Sequence, residues 1–217
     1  MKTAIDYSES LHYHYRPRHG WVNDPNGLVF YKGYYHVFYQ HEPDSERPWY
    51  EPRHWGHART KDFLTWEELP VALYPDAAYD NKGCWSGTAI VKDDVLYLFY
   101  ASLYGEDKKQ TISIAYSSDG IHFEKYEKNP VIDIHPPQGS EDFRDPAVWE
   151  HNGKYYLVIA SAHEETKPDG CSYMFRITCL IGNISRCLRN GKTANIPNAR
   201  QLFRWVISCL LPFPSHR

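Results

Sequence analysis

Two acidic turns are the parts of this sequence with the clearest potential for chemistry. Asp24 lies within Trp21–Gly27, between an asparagine and a proline, just before the apolar run Leu28–Phe30. Asp145 lies within Phe143–Pro146 and precedes a second apolar run in the same way. Proline and glycine restrict the backbone of such segments, so each carboxylate can be held rigidly at the start of a strand. A lone Asn-Asp-Pro is typical of an Asx-turn that opens a hairpin, but the second acidic turn favours a functional pair.

Three shorter motifs lie between the two acidic turns: Phe38–Gln40, Trp55–Ala58 and Trp85–Gly87. In this order the five motifs resemble glycoside hydrolase family 32, which comprises the invertases and related β-fructosidases. The resemblance covers residues 12 to 170, with Val22 standing where methionine is commoner.

The resemblance implies retaining glycoside hydrolysis, which uses a nucleophile and a proton donor that later acts as a base. Asp24 matches the nucleophile and Asp145 matches the transition-state stabiliser, which grips fructose hydroxyls. Arg144 is expected to orient Asp145 and to lower its pKa. The acid/base glutamate of the family has no match in this chain. The expected substrate-binding residues are Asn23, Gln40, Trp49, Trp85, Ser86 and Arg144.

Several of these positions also have a structural interpretation. Gln40 could cap a strand end, and Trp85 could belong to the core, where tryptophans are usually buried. Arg144 and Asp145 could form a surface ion pair of little consequence. Trp55 and His57 are expected to be structural.

The elements that must position these residues are predicted from three repeats of one pattern. Two apolar, β-prone runs flank a two-residue turn at Lys32–Gly33, at Asp93–Asp94 and at Asn152–Gly153. Each repeat predicts a β-hairpin, and the spacing of about 60 residues suits a four-stranded unit with loops. Further turns at Lys61–Asp62 and Asp119–Gly120 predict the third and fourth strands of two units.

Four-stranded units repeated along a chain are typical of propeller blades, so the predicted fold class is all-β. The family resemblance implies a five-bladed β-propeller followed by a β-sandwich. We expect residues 1–170 to be the N-terminal part of that propeller, with about three blades, and we expect no C-terminal sandwich.

Residues 171–217 have a different character, with four cysteines and no acidic residue. A divergent basic tail is one interpretation. The other is a tail translated out of frame, because standard codons for these residues, read one base earlier, permit family-like strings. These include Glu-Cys-Pro, the family's acid/base motif, around Pro197–Arg200. We therefore predict that residues 171–217 match no blade.

Composition and charge indicate which partners, compartment and cofactors to expect. The formal net charge is −3 without a basic patch, so nucleic acid is not an expected partner. No apolar run reaches the ~20 residues of a membrane span, and Met1–Asp6 lacks the apolar core of a secretory signal. The cysteines lack metal-ligand or disulfide-framework spacing, which favours a cytoplasmic setting. No metal or cofactor is expected, and the sequence does not indicate an oligomeric state.

Two functions follow from these observations. The first is a β-fructofuranosidase acting on sucrose, sucrose 6-phosphate or a short fructan. The second is a catalytically inactive remnant, or a sugar-binding fragment, that lacks the acid/base glutamate. An arabinan- or xylan-cleaving propeller fits less well, because Trp21–Gly27 matches the fructosidase pattern so fully. Arg47, Arg53 and Lys82 are the basic residues available for a substrate phosphate.

Overall fold

The computed structural model describes residues 14–45, 52–135, 139–163 and 173–180. Within these ranges the strands form three antiparallel sheets, and none of the described residues is helical. The prediction of an all-β fold is confirmed.

The strands of each sheet are consecutive along the chain. Sheet 1 contains β1 (Trp21–Tyr31), β2 (Tyr34–Glu42), β3 (His54–Thr60) and β4 (Trp66–Leu73). Sheet 2 contains β5 (Gly83–Lys92), β6 (Val95–Tyr104), β7 (Lys109–Ser117) and β8 (Glu124–Lys125). Sheet 3 contains β9 (Gly139–His151), β10 (Lys154–His163) and β11 (Tyr173–Leu180).

The first two strands of every sheet form the predicted hairpin. The central residues of the three turns, Lys32–Gly33, Asp93–Asp94 and Asn152–Gly153, all have positive φ. Two consecutive residues with positive φ define a type I′ turn, whose twist matches that of the flanking strands. Local turn chemistry therefore fixes where each hairpin reverses.

The turns between the third and fourth strands of sheets 1 and 2 are also as predicted. Asp62 Oδ1 accepts hydrogen bonds from the backbone N–H groups of Leu64 and Thr65. Asp119 Oδ1 accepts the corresponding bonds from Ile121 and His122. The two sheets thus repeat one aspartate-capped turn, in which the carboxylate satisfies backbone donors.

Sheet 2 lies between the other two sheets and is buried on both faces. On β6, Leu98 and Tyr100 belong to the core shared with sheet 1, whereas Phe99 and Ala101 belong to the core shared with sheet 3. Alternation of side chains across a strand explains why β6 is an uninterrupted apolar run. The first strands of neighbouring sheets also pack together, β1 against β5 and β5 against β9.

The structure differs from the sequence prediction at the start of the tail. Residues Tyr173–Leu180 form β11, which pairs antiparallel with β10 along its length. The prediction that no residue after 170 joins a blade is therefore wrong for this strand. The rest of the tail, residues 181–217, lies outside the described residues.

Candidate active site

The first strand of each sheet carries a β-bulge, and the bulges hold most of the predicted site residues. In each bulge two residues oppose a single residue of the second strand. The pairs are Asn23–Asp24 opposite Gln40, Trp85–Ser86 opposite Ala101, and Asp145–Pro146 opposite Ile159. A bulge bends its strand and redirects side chains that regular pairing would place on a sheet face. Since β1, β5 and β9 are neighbours, the three bulges bring residues from distant parts of the chain together.

Asp24 is oriented by two neutral donors, one from each of two sheets. Asn23 Nδ2 donates to Asp24 Oδ1 at 2.9 Å, and Ser86 Oγ donates to Asp24 Oδ2 at 2.9 Å. Each carboxylate oxygen keeps a lone pair that is not used by these bonds. The Asp24 side chain is exposed, so the carboxylate is accessible to a ligand.

Gln40 determines which way the Ser86 hydroxyl points. Gln40 Nε2 donates to Ser86 Oγ at 2.6 Å, so the hydroxyl proton remains available for Asp24. Gln40 Oε1 accepts a longer bond of 3.5 Å from Asn23 Nδ2, which closes the network. Gln40 is only 4% exposed, and a buried amide of this kind is a rigid support. The four side chains Asn23, Asp24, Gln40 and Ser86 are hereafter called the Asp24 network.

A glycine allows the two bulged strands to come this close. A Cβ atom at Gly87 would lie 1.9 Å from the carbonyl oxygen of Phe99, so no larger residue fits. The Gly87 N–H in turn donates to Asn26 Oδ1 at 3.4 Å. This hydrogen bond links β5 to β1 next to the Asp24 network. The glycine of Trp85–Gly87 thus has a packing role that its neighbours depend on.

The backbone conformation and the neighbours of Asp145 differ from those of Asp24. Its backbone has a φ of 55°, in the left-handed region that non-glycine residues seldom adopt, and its side chain is 54% exposed, so that the rest is buried. Arg144 Nε lies 3.9 Å from Asp145 Oδ2. The shorter contacts of Arg144 run from Nη1 to Asp142 Oδ1 at 2.6 Å and to Gln110 Oε1 at 3.2 Å. Arg144 is therefore anchored mainly by Asp142 and Gln110 and borders Asp145 more loosely.

The pKa of Asp145 is raised, which corrects the prediction that Arg144 lowers it. Partial burial disfavours the charged form and is the largest effect. The Arg144 guanidinium opposes this increase in pKa, and the nearby Asp24 carboxylate adds to it. Asp24 lies on β1 and Asp145 on β9, and both of these first strands pack against β5.

The other predicted residues differ in burial or lie outside the described ranges. Trp85 is half-buried, and its carbonyl oxygen accepts a hydrogen bond of 3.0 Å from Trp55 Nε1. Trp55 and His57 are fully buried, as expected of structural residues. Trp49 lies outside the described residues.

The basic residues considered for a phosphate are not grouped at the site. Arg53 is 5% exposed and lies next to two indole rings, whereas Lys82 donates to Glu106 at 3.2 Å. Arg47 lies outside the described residues. The described ranges also contain no cluster of three or more His, Cys, Asp or Glu side chains able to hold a metal, and no helix there is long and apolar enough to span a membrane.

Sequence reasoning missed two features of this site, namely the bulges and Arg53. A bulge depends on the register of two strands, which alternation of residue types does not reveal. The one local signal was a polar residue within each first strand just before its apolar run, namely Asp24, Ser86 and Asp145.

Comparison with known proteins identifies the family. Residues 14–176 match the glycosyl hydrolases family 32 N-terminal domain. The chain is 37% identical over 201 residues to sucrose-6-phosphate hydrolase of Zymomonas mobilis, covering 89% of this chain and 38% of that protein. It is 42% identical over 157 residues to sucrose-6-phosphate hydrolase of Escherichia coli, covering 69% of this chain and 32% of that protein. The Zymomonas match is long enough to reach into the residues after 170.

Solved structures give the same result. The β-fructofuranosidase of Bombyx mori superposes with a TM-score of 0.73 at 34% identity, covering 90% of this chain and 39% of that one. Sucrose-6-phosphate hydrolase of Lactobacillus gasseri superposes with a TM-score of 0.70 at 33% identity, covering 84% and 35%. The chain thus spans less than two fifths of the length of these relatives. On the extent of these matches, the chain belongs to glycosyl hydrolase family 32 and carries its N-terminal, β-propeller domain.

Proposed function

We propose that this chain carries the fructosyl-binding part of a β-fructofuranosidase site, which cleaves terminal β-fructofuranosides with retention. The observation that carries the proposal is the Asp24 network, which orients one exposed carboxylate on β1, while a second carboxylate, Asp145, occupies the corresponding bulge of β9. Relatives named as sucrose-6-phosphate hydrolase and β-fructofuranosidase support the substrate class, namely sucrose, its 6-phosphate or short fructans.

The geometry suits a division of labour between the two carboxylates. Asp24, fixed by Asn23 and Ser86, attacks the anomeric carbon of the fructosyl unit and forms a covalent intermediate that water then hydrolyses. Asp145 accepts hydrogen bonds from fructose hydroxyls, and these strengthen as positive charge develops on the sugar ring. Arg144 borders Asp145 and partly offsets the rise in its pKa, and Trp85 offers an aromatic surface beside Ser86.

A retaining enzyme also needs a carboxylic acid to protonate the leaving group. Among the described residues, no glutamate forms a hydrogen bond or ion pair with Asp24 or Asp145. We assign this role to a glutamate that lies outside the motifs matched in this chain. A one-base shift of the reading frame near codon 169 permits such a glutamate, as part of the string Glu-Cys-Pro. The three sheets would then be the first three blades of a five-bladed propeller.

The second candidate follows from the same observation. A chain with nucleophile and stabiliser but without an acid would bind fructosides and cleave sucrose negligibly. General acid catalysis alone is worth about 10²–10⁴-fold, and an incomplete ring of blades would cost more. This chain would then be a sugar-binding fragment of an enzyme lineage.

One experiment separates the two candidates. Glucose release from sucrose is measured for the 217-residue chain and for the frame-restored protein, in which one base is shifted near codon 169 and the downstream gene is intact. We expect negligible release by the chain and robust release by the frame-restored protein, abolished by Asp24→Asn. Robust turnover by the 217-residue chain would mean that the acid lies within it, and an inactive frame-restored protein would contradict the proposed function. Sequencing the gene around codons 165–172 checks the frame itself.

A further inference from the structure

Arg53 lies beside the Asp24 network, next to Trp85, although none of the five motifs contains it. Its guanidinium carbon is 5.0 Å from the ring centroid of Trp85 and 5.8 Å from that of Trp21. A planar cation over two indole rings gains cation–π attraction from both. Because only 5% of Arg53 is exposed, this attraction operates with little competition from water.

The backbone around Arg53 is held as firmly as its side chain. The Cys84 N–H donates to the Arg53 carbonyl oxygen at 2.8 Å, which fixes Arg53 to the residue before Trp85. Gly83 adopts a φ of 139°, and a Cβ atom there would lie 3.1 Å from the Trp85 ring and 3.3 Å from the Arg53 nitrogen. The indole and the arginine are therefore packed tightly at the start of β5.

Two carboxylates balance the charge of this buried cation. Burial lowers the pKa of Arg53, while the Glu42 and Asp24 carboxylates raise it. Glu42 is fully buried, and Asp24 is the candidate nucleophile. The guanidinium thus contacts a residue of the first strand of sheet 1 and a residue of the bulge of sheet 2, and the Asp24 carboxylate is near enough to raise its pKa.

We propose that Arg53 is a positioning residue that fixes the indole of Trp85, and with it the bulge that presents Ser86 to Asp24. The proposal deepens the proposed function, since it rests on the assignment of Trp85 and Ser86 to the fructoside site. It also gives Arg53 a role other than phosphate binding, because a side chain that is 5% exposed has little surface left for a substrate.

The test uses the 217-residue chain labelled with 5-fluorotryptophan, so that each of the seven tryptophans gives a fluorine resonance. Trp21→Phe and Trp85→Phe assign the two resonances of interest. We expect Arg53→Met to shift both by more than a linewidth and to leave Trp149, in sheet 3, unchanged. Arg53→Lys keeps the cation and should return both resonances most of the way to their wild-type positions.

Arg59→Met is the matched control. Arg59 also stacks on an aromatic ring, 4.1 Å from the Tyr34 centroid, and pairs with Glu67 at 2.7 Å, but it does not touch the Asp24 network. Its loss should leave the Trp21 and Trp85 resonances in place. The proposal is overturned if Arg53→Met leaves both resonances unmoved, or if Arg53→Lys displaces them as far as Arg53→Met does.

Two further readouts keep the outcome decisive. If Arg53→Met does not fold, the wild-type chain provides the test. Nuclear Overhauser contacts from the Arg53 side chain to both indoles are then expected, and their absence overturns the proposal. Titration with fructose tests the proposed function separately, since ligand binding should shift Trp85 and not Trp149. A chain with the expected Arg53 effects but no response to fructose would count against the proposed function and leave the positioning role standing.

Discussion

The bulges that carry Asp24 and Asp145 have the same place in their sheets, yet they prepare their carboxylates in opposite ways. Asp24 accepts hydrogen bonds from Asn23 and Ser86, so the orientation of both oxygens is fixed before any ligand binds. Among the described residues, none donates a hydrogen bond to the Asp145 carboxylate, whose neighbour is the Arg144 cation at 3.9 Å. The left-handed backbone of Asp145 adds strain that is absent at Asp24.

Under the proposed function, bulges at the same place in two sheets would present their carboxylates for two different chemical roles. A nucleophile must point one oxygen at a carbon atom, and fixed neutral donors achieve this without neutralising its charge. A stabiliser must exchange hydrogen bonds with substrate hydroxyls, so its oxygens have to be free beforehand. The environment of each carboxylate, more than its position, distinguishes the roles.

The largest expected effect is that of replacing Asp24, the proposed nucleophile. In the frame-restored protein, Asp24→Asn should reduce kcat for sucrose by on the order of 10⁴-fold or more, because an amide cannot form the covalent intermediate. Glucose release measures the loss. Residual activity within tenfold of wild type would show that Asp24 is not the nucleophile.

Asp145→Asn should have a smaller effect, about 10²–10³-fold on kcat/KM, since it removes charge stabilisation and leaves the nucleophile intact. Asp142→Asn, which removes the other carboxylate bound by Arg144, is the matched control and should cost far less. Equal losses in the two variants would mean that Asp145 acts only through Arg144.

Ser86→Ala tests the orientation of Asp24. Removing a hydrogen bond to a charged group should lower kcat/KM roughly tenfold, while the fold is maintained by the surrounding β5–β6 pairing. Ser118→Ala, at an exposed position just after β7, serves as the control. An unchanged rate would show that Asn23 alone suffices to orient the nucleophile.

The smallest effect concerns the pH dependence of Asp145. Its pKa is raised by partial burial and by Asp24, and Arg144 opposes this increase. Arg144→Met removes the opposing cation, so ionised Asp145 should be lost at a higher pH as the solution is acidified. The acidic limb of kcat/KM should therefore move to higher pH, and Arg144→Lys should move it less. A shift to lower pH would contradict the assignment of that limb to Asp145.

Much of the scaffold was predictable, because it follows from local chemistry. The hairpins at Asp93–Asp94 and Asn152–Gly153 were set by turn residues, and the burial of β6 on both faces followed from its apolar run. The relation between Asp24 and Ser86 was not predictable from local pattern, because it depends on the packing of β1 against β5.

The errors also have physical causes. Arg144 was expected to dominate the pKa of Asp145 because it is adjacent in sequence, but partial burial outweighs its charge. β11 was not predicted, because composition alone gives no sign that a free edge of β10 is available for pairing. The sequence indicated Arg53 only as a positive charge available for a substrate phosphate. Its position next to two indole rings is a property of the fold.

The most direct test of the role of Asp24 uses the 217-residue chain itself and an activated β-fructoside, whose leaving group departs without protonation. Such a substrate needs no general acid, and if the chain holds no acid/base glutamate to activate water, as proposed, the covalent intermediate should accumulate. Mass spectrometry of the acid-quenched protein should then show one fructosyl adduct on the peptide that contains Asp24, and none in Asp24→Asn. An adduct on Asp145, an adduct that persists in Asp24→Asn, or no adduct at all would contradict the assignment of Asp24 as the nucleophile.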